Sequence, residues 1–480
     1  MPTSNEPQPV RLRERVGYAT GDLASCLYYN TFVLFLLNFY TDKVGLAPAA
    51  VGTMILVTRT GDTFADPMMG MLADRTKSRF GKFRPWLLWM AFPFFITGVL
   101  AFLSPNLGPT GKLAYAYATY MLVMLVYTAI NIPYGALLGV ITPDSDERTK
   151  LSSFRFVGAF TGNLIVQGTF LFLVKALGHG NDKAGFPLTM GLYGFAAMCF
   201  FLFTFAATRE RVVGPAGDQS SVGGDLGDLL RNRPWLALGG ASIVFLTWVS
   251  IRGASLVYYF KYFVVQGVDI AFNIGPAHHF AHHFDSVTLL STYFLSGTVC
   301  SLVGVTITAP LTKFFGGKKK TYMWLSIINV LTLVPVYFAG AKDLALIFAC
   351  NMVGSLFTGS LNPLVWAMYA DTADYAEWKF GSRATGLVFS AGTFAQKMGW
   401  TVGGAIAGWL LAFYGFHANV AQNVGTLYGI RLMVSLIPAA ASLFTVLVIA
   451  VYNLDAKLMD QIGAELKVRR EAAVHSAGTV

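Results

Sequence analysis

Two carboxylates stand four residues apart in the stretch RTGDTFADPMMG, Asp62 and Asp66, and Arg59 precedes the first by three. At helical spacing all three side chains line one stripe. The stretch lies inside a run of membrane-spanning length, where an ionised side chain is expensive and marks a functional site with a partner to be named. Two carboxylates this close repel in a poorly solvated setting, and one takes up a proton unless a cation sits between or beside them. The pair therefore meets the specification of a cation site, with Arg59 as supporting charge. The structural alternative is that Arg59 neutralises both aspartates and locks a helix pair. Thr128 offers a hydroxyl oxygen and Asn131, three residues on, shares nearly the same face, so their helix is the expected opposite wall.

The other ionisable residues at membrane depth are few: Asp22 and Arg155 in the first half, Arg252, Lys397 and Arg431 in the second. Lys397 lies amid small residues in GTFAQKMGWTVGG, which permit close helix approach and turn it toward the bundle interior. There it hydrogen-bonds a substrate hydroxyl or reaches the aspartates, and Arg155 in SSFRFVGAFTG has the same options. Arg252 and Arg431 are near enough to span ends to snorkel. Asp22, at the entrance of the first span, either pairs with a basic loop or is structural. Cys26, Cys199, Cys300 and Cys350 match no zinc or redox spacing and read as small packing residues. The loop GPAHHFAHHFD reads as a solvated insertion rather than a soft-metal site, having four histidines but no cysteine. No nucleophile elbow, phosphate loop or zinc-protease motif is present, so the chain is expected to be no enzyme and to need no cofactor.

The elements that must position these residues are apolar helices. The chain of 480 residues is 55% hydrophobic and 12% charged, and runs of spanning length recur from end to end. We read twelve spans, near 23–41, 51–72, 86–104, 113–139, 152–175, 187–207, 235–265, 287–310, 322–339, 344–370, 384–413 and 426–452. The fold class is an all-α polytopic membrane protein. Basic clusters precede the first span and follow each even one, placing both termini in the cytoplasm by the positive-inside rule. That bias accounts for the net charge of +10 without nucleic acid as a partner. The polar stretch RERVVGPAGDQSSVGGDLGDLLRNRP divides the chain into an N-terminal six-helix bundle (1–208), a cytoplasmic linker (209–234), a C-terminal bundle (235–456) and a cytoplasmic tail (457–480). The halves echo one another: GMLADRTKSRFGKFR has a weaker counterpart in GVTITAPLTKFFGGKKK. Two related bundles fit an alternating-access transporter.

The segments YTDKVGL, RTGDTFADPMMG, RTKSRFGKFRPW, YTAINIP and ADTADYAEWKFGSRATG together resemble the glycoside-pentoside-hexuronide:cation symporters, the melibiose permease-like family within the major facilitator superfamily. The resemblance covers nearly the whole chain. It implies symport of a sugar with sodium or protons, with Asp62, Asp66 and Thr128 as cation ligands. It also implies that Cys26, Tyr127, Asn131, Arg155, Thr393 and Lys397 occupy substrate-binding positions. There are departures from the family's best-known member: Ala65 stands where that protein has an amide ligand, Cys26 and Asn131 replace sugar-contacting carboxylates, and Gly135 replaces an aromatic platform. The missing amide weakens the expected sodium shell and leaves sodium and proton both open. Fewer carboxylates beside Arg155 and Lys397 widen the expected substrates toward uronides, glycosides and pentosides.

At the cytoplasmic face Arg79, Lys82 and Arg84 are expected to pair with acids including Asp144, Asp146, Asp371 and Asp374 as an inner gate. The expected partners are the sugar, a monovalent cation and the bilayer of the inner (plasma) membrane, with no obligate protein partner. Two rival functions are a sodium-dependent lysolipid transporter and a transport-inactive sugar sensor. The polar residues Tyr127, Asn131, Arg155 and Lys397 argue against an amphiphile pathway, and no sizeable cytoplasmic signalling domain is visible for the sensor.

Overall fold

The computed structural model describes residues 10–142, 145–211, 230–264, 268–273, 279–380 and 385–477. The first half contains helices α1 (Leu12–Asn38), α2 (Pro48–Arg75), α3 (Arg84–Ala101), α4 (Pro109–Ile141), α5 (Ser145–Gly178) and α6 (Asp182–Ala207). After α7 (Arg233–Tyr258), strands β1 (Val268–Asn273) and β2 (His279–Phe284) form an antiparallel hairpin. Then follow α8 (Ser286–Phe314), α9 (Lys318–Phe338), α10 (Leu344–Phe380), α11 (Thr385–Phe413), α12 (Val424–Val434), α13 (Leu436–Ala450) and α14 (Ala456–Ala477).

Among the described residues ten helical segments are long and apolar enough to cross a membrane. Helices α2 and α11 are not among those ten, but at 28 and 29 residues they exceed the ~30 Å thickness of a hydrocarbon core. The last span is broken: α12 and α13 meet at Ser435, whose φ of -125° and ψ of -82° interrupt the helix. The expected all-α membrane fold is thus observed, with the hairpin as the departure. Its second strand falls in the His-rich loop, where His279, His282 and His283 stand in register with Asn273, Ile270 and Asp269; His278 lies outside the described residues. No group of three or more His, Cys, Asp or Glu able to hold a metal occurs among the described residues.

The chain forms two compact units. Unit 1 comprises Met1–Gly217, Leu256–Leu295 and Gly404–Gly429; unit 2 comprises Asp218–Ser255, Ser296–Gly403 and Ile430–Val480. In unit 1, α1 packs on α5 and α6, and α4 on α2 and α3. Its core is aromatic, with Tyr18, Tyr28, Phe32, Phe39, Tyr120 and Tyr134 fully buried or nearly so. Close approach of α1 and α5 depends on two glycines. A Cβ on Gly158 would lie 2.2 Å from the Ala19 carbonyl oxygen, and one on Gly162 2.8 Å from Cys26 Cβ. That contact brings Arg155 of α5 against Asp22 of α1. Unit 2 has its own core, which includes Leu238, Tyr322, Leu325, Met368 and Tyr369.

The termini-side end of unit 1 is tied by carboxylates. Glu14 accepts from both terminal nitrogens of Arg211, at 2.9 and 2.8 Å, and from the Arg209 amide at 3.0 Å. Glu147 accepts from Arg15 and Lys150, both at 2.8 Å. The Lys150 and Arg15 hydrogen bonds hold the Glu147 carboxyl at about 2, below its usual range.

Candidate cation and substrate sites

The α2–α4 contact brings Asp62 and Asp66 onto one hydroxyl. Thr128 Oγ1 of α4 makes a short hydrogen bond to Asp62 Oδ1 and lies 3.1 Å from Asp66 Oδ1. Asp62 and Thr128 are buried, 6% and 2% exposed. A hydroxyl has one proton to donate. It serves one carboxylate at a time, and its oxygen then faces the other across a contact that a proton or a bound cation would relieve. Three oxygen-bearing side chains from two helices therefore converge on one point, as hard monovalent or divalent cations require. Ala65, between the two aspartates, adds no side-chain oxygen.

Arg59 is also buried, and its described hydrogen bonds reach aromatic hydroxyls. Nε donates to Tyr120 Oη at 2.8 Å and Nη1 to Tyr29 Oη at 3.3 Å, with the guanidinium 5.3 Å from the Tyr29 ring centre. Tyr29 in turn packs on Tyr127, ring centres 5.6 Å apart, and Tyr127 also lies against Tyr28 and Phe94.

A second polar cluster occupies the α1–α5 contact. Arg155 Nε donates to Asp22 Oδ2 at 2.6 Å and Nη2 to Asp22 Oδ1 at 3.2 Å. The guanidinium stacks over Tyr134 and Tyr18, 5.0 and 5.6 Å from the ring centres. Planar bidentate pairing and ring stacking are both geometries that favour Arg over Lys. Asp22 thus pairs with a helix residue and not with a basic loop. Asn131 shares the helix of Thr128, but its side-chain oxygen accepts from Ser25 Oγ at 2.7 Å, tying α4 to α1. Cys26 sits at the same α1–α5 contact, beside Gly162.

In unit 2, Thr393 is exposed and Lys397 half-buried, one turn apart on α11. Of the residues expected at the inner gate, Asp371 is ion-paired with Lys318, at 2.6 Å. Arg79 lies over the Phe80 ring at 4.6 Å. The backbone amides of Lys82, Phe83 and Arg84 all donate to the Glu210 carboxylate, at 2.8, 2.8 and 2.9 Å. An anion at a helix N-terminus is stabilised by those amides. Gly81, with φ of 108°, makes the approach possible, since a Cβ there would meet Glu210 at 2.4 Å. The RFGKFRP loop is therefore built around an acid that sequence reading had grouped with a basic linker. The Arg84 guanidinium donates to the Phe205 carbonyl at 2.7 Å. Asp144 lies outside the described residues.

Sequence reasoning also passed over a buried network at the far end of α1. Asp42, 5% exposed, lies on a π turn (Phe39–Val44) that extends α1. It accepts from Lys261, from Tyr262 Oη at 2.9 Å and from Thr41 Oγ1 at 3.0 Å. Asn419 Nδ2 donates to the Asp42 carbonyl at 2.5 Å. Lys261 and Tyr262 lie on a second π turn (Tyr259–Phe263), which extends α7 in the same way. The available sequence signal is YTDKVGL, whose aspartate follows the first span.

Comparison with known proteins gives a consistent result. Residues 17–456 match the family described as MFS/sugar transport protein. The putative glycoside/cation symporter YagG of Escherichia coli (strain K12) is 33% identical over 98% of this chain and 98% of its own length. The isoprimeverose transporter of Lactiplantibacillus pentosus is 33% identical over 95% of this chain and 91% of its own. Among solved structures, a bacterial homologue of human drug peptide transporters superposes with a TM-score of 0.65 at 13% identity, covering 94% of this chain and 99% of that one. That likeness concerns the fold.

Proposed function

Since the chain belongs to the MFS/sugar transport protein family and is a multi-pass membrane transporter, we propose that it couples uptake of a glycoside or pentoside to a cation bound by Asp62, Asp66 and Thr128. The relatives described as a glycoside/cation symporter and an isoprimeverose transporter support the substrate and ion classes. The observation that carries the site assignment is the convergence of two carboxylates on one hydroxyl. A cation there offsets their repulsion, and linkage requires that if the ion raises sugar affinity the sugar raises ion affinity equally. Tyr127, next to Thr128 on α4, packs its ring on Tyr29, which also meets Arg59. Arg155 is committed to Asp22, so its charge gives no preference for an anionic sugar. The proposed location is the inner membrane, with both termini cytoplasmic on the positive-inside bias.

Solute uptake into liposomes tests this reading. Purified protein is offered labelled glycosides and pentosides, with sodium and pH gradients imposed separately. Uptake driven by either gradient is expected, and the driving gradient identifies the ion. Downhill equilibration unaffected by both gradients would reject symport.

A further inference from the structure

Unit 1 is not confined to the first half of the chain, for it takes in Leu256–Leu295 and Gly404–Gly429. These segments meet the ends of α1 and α2 on the side away from the N-terminus, which is extracellular in the orientation proposed above. Helix α1 packs on α5 and α6, whereas it meets the extension of α7 at one end, through side chains around Asp42.

The Asp42 carboxylate, 0% exposed, accepts from three donors. Two of them, Lys261 and Tyr262, stand on the α7 extension. Asn419 stitches the same partners together. Its Oδ1 accepts from Lys261 Nζ at 2.9 Å, its backbone amide donates to Tyr262 Oη at 3.0 Å, and its Nδ2 donates to the Asp42 carbonyl. Its φ of 60° lies in the left-handed region, which Asn adopts more readily than most residues. Phe416 covers this joint edge-on, its ring centre 5.0 Å from that of Tyr258 and 5.4 Å from that of Tyr262. Tyr258 Oη in turn shares a 2.9 Å hydrogen bond with Thr41. Shielding from water strengthens such bonds. Each is nevertheless polar, so water replaces it at modest net cost when the turns part. That is the chemistry of a reversible joint.

The same segments close on α2. A Cβ on Gly52 would lie 2.6 Å from the Ala405 carbonyl oxygen, and one on Gly408 2.6 Å from the Pro48 carbonyl oxygen. Trp409 Nε1 donates to Thr53 Oγ1 at 3.1 Å. A side chain at either glycine holds α2 and α11 apart.

An alternating-access transporter must part this side once in each cycle. We propose that Asp42, Lys261, Tyr262 and Asn419 are the latch of the outer gate, and that Gly52 and Gly408 form the seam along which α2 and α11 shut. The latch goes beyond the symport reading and shares no residue with the Asp62 cluster, so either can fail alone.

The test is a distance measurement by double electron–electron resonance on the full-length protein in lipid nanodiscs, with the native cysteines replaced by serine. Spin labels are placed at Thr110→Cys, at the exposed start of α4, and at Val424→Cys, 85% exposed at the start of α12. With the latch intact one short distance should dominate. Asp42→Asn and Lys261→Met should each raise the ratio of a longer distance to the short one about tenfold or more. The double variant should go no further than the larger single effect, because the two residues make one contact. Gly408→Leu should produce the same longer distance with the network untouched. The Lys261 side chain keeps 32% exposure, so Lys261→Met carries the test if Asp42→Asn does not fold. Three results would overturn the proposal: a short distance unchanged in the latch variants, a short distance that only broadens about its original mean, or single effects that multiply in the double variant.

Discussion

The α1–α5 contact and the α2–α4 contact each bury carboxylates in unit 1, and they treat them differently. Asp22 meets the guanidinium of Arg155 in a bidentate pair that lies over two tyrosine rings. Its charge is balanced by a neighbouring side chain and fixed in place. Asp62 and Asp66 meet the hydroxyl of Thr128, which carries a single proton for two acceptors. The first arrangement is closed within the pair, whereas the second is the one we propose to take up a proton or a cation. Aspartates on neighbouring helices thus serve as scaffold in one place and as proposed coupling site in the other, according to what stands opposite them.

Substitutions can break that contrast. The largest effect is expected for Asp62→Asn, which removes one of the converging charges. Gradient-driven accumulation in liposomes should fall to equilibration while sugar exchange persists, and accumulation at the wild-type level would mean that Asp62 is scaffold like Asp22. Next, Asp22→Asn leaves Arg155 without its carboxylate. Unfolding in detergent should show a loss of about 1–3 kcal/mol, below the range for fully buried pairs because both side chains keep some exposure (28% and 16%). The double variant Asp22→Asn with Arg155→Met should recover part of that loss, because no buried charge remains uncompensated.

Thr128→Val keeps the shape of the side chain and removes the hydroxyl. Cation affinity, read from the ion concentration that half-activates sugar binding, should weaken about tenfold. An unchanged value would place Thr128 outside the ion shell.

The smallest effect concerns Glu147, a balanced acid outside the membrane and so a control for the Asp22 kind. Its carboxyl is held at about 2 by Lys150 and Arg15, below the ordinary 4.5. A group with a depressed folded pKa contributes stability above the unfolded value and loses it as pH falls through the folded one. Glu147→Gln should therefore be less stable than wild type at neutral pH, with the difference shrinking as pH falls from about 4.5 toward 2. A difference that stays constant across that window would contradict the ion-pair origin.

The contrast between the two acids was only half legible in the sequence. Spacing alone put Asp62 and Asp66 on one stripe, because helical periodicity is local and survives without knowledge of packing, whereas Thr128 entered through its hydroxyl oxygen and the family resemblance. The partner of Asp22 was not legible, since Arg155 is far along the chain and reaches it only where Gly158 and Gly162 let α5 approach α1. Asn131 followed Thr128 in the helical pattern but turns to Ser25 instead, a difference of side-chain direction that periodicity does not resolve. The spans were readable because each is continuous in sequence. The Asp42 network and the Glu210 anchor were missed because they join helix ends and turns separated by more than a hundred residues.

The account stands or falls on linkage at Asp62. Sugar affinity of the purified protein, measured across a range of sodium concentrations and pH, tests it most directly when wild type and Asp62→Asn are compared. Affinity should rise with the coupling ion in wild type and be flat in the variant. A variant whose affinity still rises with the ion would show that the coupling cation binds elsewhere.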